Sequence, residues 1–474
     1  MAKNIMNTSD RSNFILNMTE EQYSKAAAFG IIVSCLAVSL FTIQPETSSV
    51  PAYSISAIGL AIPGVICIIL ALISIIRKFI EKKAIFSSCA FGAMAGWGVI
   101  SMLDSYDINV GFYGYPQRGE GLLAIIFYCC IFITAASIKR EKALKAVVNG
   151  IILAGLVNSL FAMLQIFTGK FCFYRNLSAL FISFAASGLS QSPLFLAMVL
   201  TLSLIAALVT FVLDSSKKRK TFCLISSCTF TFAMIYTFSL ISLVGIGLAI
   251  IFAIVAAAIK KSPKKSLILL LVPIAAGALA VTLCLNGLSS KYKNYNLYDG
   301  RILWNQDAYR RVSASGDYDS RAVDIKNTYD VYSFLNRKTI DIIKDFPLTG
   351  TGPEQLVYPQ IYKITDQAGN KLESMAEVVK ENPGTFDKVY NEYLYTAATR
   401  GIPSLIALLC VMISVIYIGF RNMKKSASHE TSCLFFITLG GALIFLIGCS
   451  NITFAPIFWA AAGASLVRTG SSKE

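Results

Sequence analysis

What most constrains this chain is the spacing of its charges. They come in short clusters separated by long uncharged runs, many above the roughly 18 to 20 residues a helix needs to cross a bilayer. A soluble protein carries about 25% charged residues; this chain of 474 residues carries 15%, against 55% apolar. An ordinary soluble enzyme, a secreted disulfide scaffold and a disordered tail are thereby excluded.

The uncharged runs place candidate spans near 26–43, 53–76, 84–103, 121–138, 146–167, 193–213, 221–238, 242–259, 266–286, 401–420, 432–449 and 454–467. The expected fold is an all-α polytopic membrane protein of about 12 transmembrane helices. The stretches 221–259 and 431–467 are too long for one crossing and have basic clusters at both ends. Each should fold back on itself, near Ser239 and near Asn451 to Pro456.

The net charge of +15 suggests a nucleic-acid partner until it is located. With alternating crossings, Arg77-Lys78, Lys82-Lys83, Lys139-Arg140, Lys142, Lys145, Lys217 to Lys220, Lys260-Lys261, Lys264-Lys265, Arg421 and Lys424-Lys425 share a face with both termini. That face sums to +16, the short opposite loops to −1, and segment 288–400 carries 15 charges of each sign. By the positive-inside rule the basic face and both termini are cytoplasmic. The excess is therefore a topology signal facing anionic lipid, and no nucleic acid is expected. The first 25 residues are polar and span one lacks a small-residue cleavage site, so it reads as a signal anchor. Most of the twelve cysteines lie in or beside spans and none in 288–400, which suits packing rather than a disulfide framework. The expected organisation is a cytoplasmic tail 1–25, helices 1–9 over 26–287, an extracytoplasmic loop domain 288–400, helices 10–12 over 401–467, and a cytoplasmic tail 468–474.

No span interior holds an Asp, Glu, Lys or Arg. Ion-coupled transporters need such a group at mid-membrane, and their halves often repeat. Function is therefore sought in 288–400. Arg301 to Val312 and Val331 to Asp345 read as helices, the second with Phe334, Leu335, Ile342 and Ile343 partly on one face, ended by Pro347 and Gly350-Thr351-Gly352-Pro353. Glu373 to Glu381 suggests another helix, broken by Asn382-Pro383-Gly384, and a further one is expected from Phe386 into span ten. Tyrosines such as Tyr292, Tyr358, Tyr390, Tyr393 and Tyr395 read either as interfacial anchors or as a glycan-facing surface. Gly350 to Gly352 either presents backbone amides to phosphate or ends a helix. Asp317-Tyr318-Asp319 reads as a metal-binding pair or, in its Ser, Gly and Asp-rich setting, a loop.

Four stretches carry a resemblance. Asp387-Lys388-Val389-Tyr390-Asn391-Glu392-Tyr393-Leu394, continuing Ala397-Ala398-Thr399-Arg400-Gly401-Ile402-Pro403, resembles the His-Asn-Glu-Tyr-Leu signature of the bacterial O-antigen ligase and polymerase family. Gly300-Arg301-x-x-Trp304 with Ile343-Lys344-Asp345-x-Pro347-Leu348-x-Gly350-x-Gly352-Pro353 is similar to that family's run into its large outer loop. Gly114 to Leu123, with Arg118-Gly119-Glu120-Gly121-Leu122, and Thr237-Phe238-Ser239 resemble two further motifs.

The resemblance implies a GT-C-like membrane glycosyltransferase of the bacterial cytoplasmic membrane. Such an enzyme passes glycan from a polyprenyl-pyrophosphate carrier to a glycan, lipid or cell-wall acceptor on the outer face, with no cofactor and no metal. The diphosphate leaving group calls for arginine and the acceptor hydroxyl for a base. Arg118, Arg301 and Arg400 then become pyrophosphate ligands, Glu392 the base beside Tyr390 and Asn391, and Trp304 and Tyr393 glycan contacts. Tyr390 stands at the family's histidine and Leu240 at one of its arginines, while the turn after span five reads Ser192-Pro193-Leu194. The sole histidine, His429, falls in an expected cytoplasmic loop. Either the roles are redistributed or activity is weak, so a non-catalytic lipid-linked-glycan-binding relative and a glycolipid flippase or transporter stay as alternatives.

Overall fold

The uncharged runs each coincide with a helix in the computed structural model, which describes residues 17–41, 52–115, 118–168, 186–190, 192–237, 239–262, 267–283, 325–358, 388–425 and 428–468. In chain order these are α1 (Glu20–Phe41), α2 (Ala52–Ile76), α3 (Lys82–Leu103), the short α4 (Ile108–Tyr113), α5 (Leu122–Ala135), α6 (Glu141–Thr168), α7 (Pro193–Leu213), α8 (Lys217–Ile235), α9 (Leu240–Lys260), α10 (Leu271–Leu283), α11 (Ile325–Asp345), α12 (Glu392–Lys425), α13 (His429–Ile444) and α14 (Ala455–Ser465). No strand occurs among the described residues. Among the described residues six helices are long and apolar enough to cross a membrane: Gly59–Ile76 within α2, α3, Glu141–Ile166 within α6, α7, α9 and α12. Helices α5 and α13 and the Leu271–Ala280 part of α10 are apolar but shorter. Both expected fold-back points are breaks between helices: Ser239 caps α9 by accepting the Ile241 N–H at 3.3 Å, and residues 445–454 separate α13 from α14.

Helix α7 is the axis of the bundle. Every one of its residues is buried, which its all-round apolar sequence permits. Ser192 Oγ accepts the Phe195 N–H at 3.2 Å and Pro193 fills the first turn, fixing where the helix starts. Helices α6, α8, α9 and α13 pack around it. Gly155 of α6 and Gly245 of α9 lie so close to Ser203 and Thr201 of α7 that neither position has room for a Cβ. On another side α3 packs along α12, and Trp459 of α14 sits 4.3 Å from Phe91 and 6.1 Å from Phe132, between centroids.

The basic clusters gather at one end of the bundle. There Lys139 pairs with Glu20 at 2.6 Å, Lys260 Nζ donates to Met423 O at 3.4 Å, and the Arg468 N–H to Glu81 at 3.4 Å. A buried Arg219 joins Asp214 at 2.6 Å to Glu430 at 2.8 Å, tying the α7–α8 turn to the start of α13. Helix α3 runs from this end to the opposite one, where residues 104–107, 114–115, 118–121, 346–358, 388–391 and 445–451 converge. Helix α11 lies over that second end. Its Phe334, Leu335 and Ile342 form a small separate core with Leu356, Val389, Tyr395 and Ala398.

The helix expected to end at Asp345 does so. The one expected from Phe386 instead begins at Glu392, with 388–391 non-helical. Asn391 sets that start, because its Oδ1 accepts the N–H groups of Tyr393 at 3.0 Å and Leu394 at 3.1 Å. Arg301 to Val312 and Glu373 to Glu381 lie outside the described residues.

Candidate functional site

Helix α12 is two helical pieces joined at Gly401, whose φ of 79° and ψ of 167° break the run. Pro403 has no N–H, and the break turns the Ile402 N–H away, so the carbonyls of Ala398 and Thr399 lose their donors within the helix. The preceding loop replaces them. Thr351 N–H donates to Ala398 O and Gly352 N–H to Thr399 O, both at 2.9 Å, while Ile402 N–H donates to Pro347 O at 2.8 Å. Ser101 Oγ of α3 also donates to Thr399 O, at 2.8 Å. Two motifs far apart in sequence, Pro347 to Pro353 and Ala397 to Pro403, thus interlock through their backbones.

The interlock explains the glycines. Gly350 has a φ of 66°, and a Cβ there would stand 2.5 Å from the Thr399 carbonyl carbon; one at Gly401 would collide with Leu348 O. It also decides between the two readings of the glycine run. The Thr351 and Gly352 amides are consumed by α12, so Gly350 to Gly352 ends a helix and docks a loop rather than cradling phosphate.

The clamped turn presents Arg400 and Glu392 on one face, with Thr396 between them at the four-residue spacing that aligns side chains along a helix. Arg400 Nη2 donates to Thr396 Oγ1 at 2.6 Å and lies 3.4 Å from Glu392 Oε1, which also accepts from Thr396 Oγ1 at 3.2 Å. Glu392 Oε2 accepts the Ser450 N–H at 2.7 Å. Ser450 Oγ reaches Glu120 Oε1 at 2.8 Å, where the Tyr128 hydroxyl also donates at 3.0 Å. Lys388 completes the network, with Nζ 2.8 Å from Glu120 Oε2 and 2.6 Å from Glu354 Oε1. Glu354 accepts further from the Tyr395 hydroxyl at 3.2 Å and the Tyr115 N–H at 3.1 Å. Glu120, Glu354, Lys388, Glu392 and Arg400 are each no more than 8% exposed, so every charge is compensated inside the protein. Burial alone would lower the Lys388 pKa, but Glu120 and Glu354 outweigh it and hold the ammonium well above the ordinary lysine range.

Glu120, Glu354, Glu392, Arg400, Ser450 and Tyr395 line a cavity of about 30 Å³, closed on its apolar side by residues such as Trp459. That is room for one or two waters, far below the roughly 300 Å³ or more of a small-molecule site.

Of the residues singled out from sequence, Glu392 and Arg400 meet at this cavity. Tyr390 stacks on Tyr332 with centroids 4.4 Å apart, and Asn391 serves as the helix cap while its Nδ2 donates to Leu446 O at 3.3 Å. Tyr393 donates its hydroxyl to Ala442 O at 3.1 Å. Arg118 stands in the turn before α5, its guanidinium 5.2 Å from the Phe195 ring centroid. None of these four is among the residues lining the cavity. Arg301, Trp304 and Asp317-Tyr318-Asp319 lie outside the described residues. Leu240 opens α9 directly after the Ser239 cap, and His429 opens α13 at the basic end. Sequence reasoning passed over Lys388, Glu120 and Glu354 as site residues, although each lies in or directly beside a motif quoted for the resemblance. For Glu120 and Glu354 the signal was a carboxylate in or beside a glycine-rich motif; Lys388, next to Asp387, offered none.

Residues 221–409 match the family model described as O-Antigen ligase. That stretch is similar to an O-antigen ligase domain. The match runs from α8 through Arg400 into the second piece of α12, so it contains both halves of the backbone interlock and the Glu392–Arg400 pair. No curated protein matches the chain. The apolar helices together with this similarity point to a membrane protein related to O-antigen ligases.

Proposed function

We propose that the protein transfers glycan from a polyprenyl-diphosphate carrier to an acceptor hydroxyl at the outer face of a bacterial cytoplasmic membrane. The observation that carries this is the pairing of a carboxylate, Glu392, with an arginine, Arg400, on one helix face at a buried cavity, within the stretch similar to an O-antigen ligase domain. In the reaction the acceptor oxygen bonds to the anomeric carbon of the donor sugar as the bond from that carbon to the diphosphate oxygen breaks. The acceptor proton goes to Glu392, and Arg400, with Arg118 and Arg301, takes the charge growing on the leaving diphosphate. Tyr390 and Asn391 support the base, and Trp304 and Tyr393 contact sugar. The twelve spans, the cytoplasmic basic end and termini, and the outward 288–400 segment belong to this reading, which the gathering of basic clusters away from the site supports. The cavity has to widen to admit a diphosphate.

One observation favours a second reading, a non-catalytic relative that binds lipid-linked glycan. Both Glu392 oxygens already accept hydrogen bonds, so neither is free to take an acceptor proton while those contacts last. Glycan transfer by purified Glu392→Gln protein in liposomes containing a polyprenyl-diphosphate glycan separates the two. Catalysis through Glu392 predicts a loss of about 100-fold or more; unchanged transfer would remove Glu392 as the base, and transfer absent from the wild type while the glycolipid still binds would favour the binding protein.

A further inference from the structure

Around the cavity the three carboxylates are divided between two cations. Arg400 pairs with Glu392, whereas Glu120 and Glu354 each have their ion pair with Lys388. The groups facing Lys388 come from separate elements: Glu120 from the 118–121 turn, Tyr128 from α5, Glu354 from the docked loop, Tyr395 from α12 and Cys449 from the 445–451 segment. Glu392 and Arg400 stand one link further, because Ser450 joins Glu120 to Glu392 through its hydroxyl and its backbone N–H. The Lys388 ammonium also lies 4.5 Å from the Tyr395 ring centroid. The side chain therefore crosslinks the turn before α5, the loop after α11 and the approach to α12, while a second cation at the same cavity faces the remaining carboxylate.

We propose that Lys388 is a positioning residue for transfer: by neutralising Glu120 and Glu354 together it leaves Arg400 to Glu392 and, through Ser450, fixes where Glu392 points. The charge division stands on the geometry alone, and its consequence for transfer rests on the function proposed above. Without the ammonium, two buried carboxylates lose their ion-pair partner and turn toward protons or toward Arg400.

The test compares full-length wild type with Lys388→Met, Lys388→Arg and Glu120→Gln/Glu354→Gln in lipid nanodiscs, following melting temperature against pH and transfer kinetics from a polyprenyl-diphosphate glycan. Carboxylates buried without a cation have raised folded-state pKa values, so the melting gap between Lys388→Met and wild type should widen as pH rises from about 5 to 8. The double variant leaves a lysine buried alone, lowers its pKa, and should show the mirror image, a gap widening as pH falls; it also serves if Lys388→Met does not fold. Transfer by Lys388→Met should lose about 100-fold in kcat with little change in KM for the donor, and Lys388→Arg should recover at least about tenfold of that loss.

Melting gaps that stay constant with pH would overturn the proposal, as would a wild-type kcat in Lys388→Met. If the gaps widen as expected but wild type transfers no glycan, the proposed function fails while the charge division holds.

Discussion

Arg400 works through geometry that its charge alone does not supply. Its Nη2 alone reaches both Thr396 Oγ1 and Glu392 Oε1 from one side of a helix turn, and the planar fork carries further donors suited to a diphosphate that an ammonium in the same place lacks. Arg400→Lys is therefore expected to fold but to transfer glycan at least about tenfold more slowly. Arg400→Ala should lose about 3–5 kcal/mol of stability by stranding the buried Glu392 carboxylate. Urea or thermal unfolding in detergent together with a transfer assay measures both; equal behaviour of Lys and Ala at this position would remove the argument for geometry. At this scale the sequence revealed half the site. Glu392 and Arg400 stood in a recognisable signature, whereas Lys388 read as one charge beside Asp387. Only the folding of three remote segments against it makes it a buried cation, and no local pattern encodes that.

At the scale of elements, the decisive event is the break in α12. Pro403 and Gly401 were visible in sequence as part of the signature that runs into span ten, and the glycine pair at 350 and 352 as a helix end or a phosphate cradle. Their real relation is mutual, since each motif supplies what the other lacks. Gly401→Ala places a side chain at a φ of 79° and against Leu348 O, and Gly350→Ala one at 66° against the Thr399–Arg400 peptide. Each should cost about 1–3 kcal/mol from backbone strain alone and reduce transfer through displacement of Arg400. Gly92→Ala and Gly96→Ala on α3 are the controls. A Cβ at either meets open space, so their stability should stay level or rise by up to about 1 kcal/mol. Thermal unfolding of all four variants in detergent gives the comparison, and uniform effects across them would count against the interlock. The helix start at Glu392 rather than Phe386 has the same origin, a capping side chain, Asn391, whose role depends on the chain turning just before it.

Across the whole molecule, helix positions were legible because the bilayer imposes a length and a composition that sequence cannot disguise. The bundle's order was not, since α7 differs little in composition from its neighbours yet is the helix they all surround. The molecule's polarity, with basic clusters at one end and the carboxylate network at the other, yields a topological prediction. In a background without native cysteines, Asp341→Cys on α11 should react with a membrane-impermeant maleimide added to intact cells, and Lys142→Cys at the start of α6 only after permeabilisation. Both side chains are exposed in the fold. The reverse pattern would turn the molecule over and place the site in the cytoplasm.

The docked loop also restricts how this protein is able to move. Lifting residues 347–352 away from α12 would strip Ala398 O of its donor and leave Thr399 O to Ser101 alone, at about 1–3 kcal/mol for the bare carbonyl. The loop and the Glu392–Arg400 turn are consequently held as one block, and the Ile402 N–H bond to Pro347 O ties the second piece of α12 to it across Gly401. Any opening beside Glu392 and Arg400 then has to come from the elements packed around this block, with the spacing of the pair left unchanged.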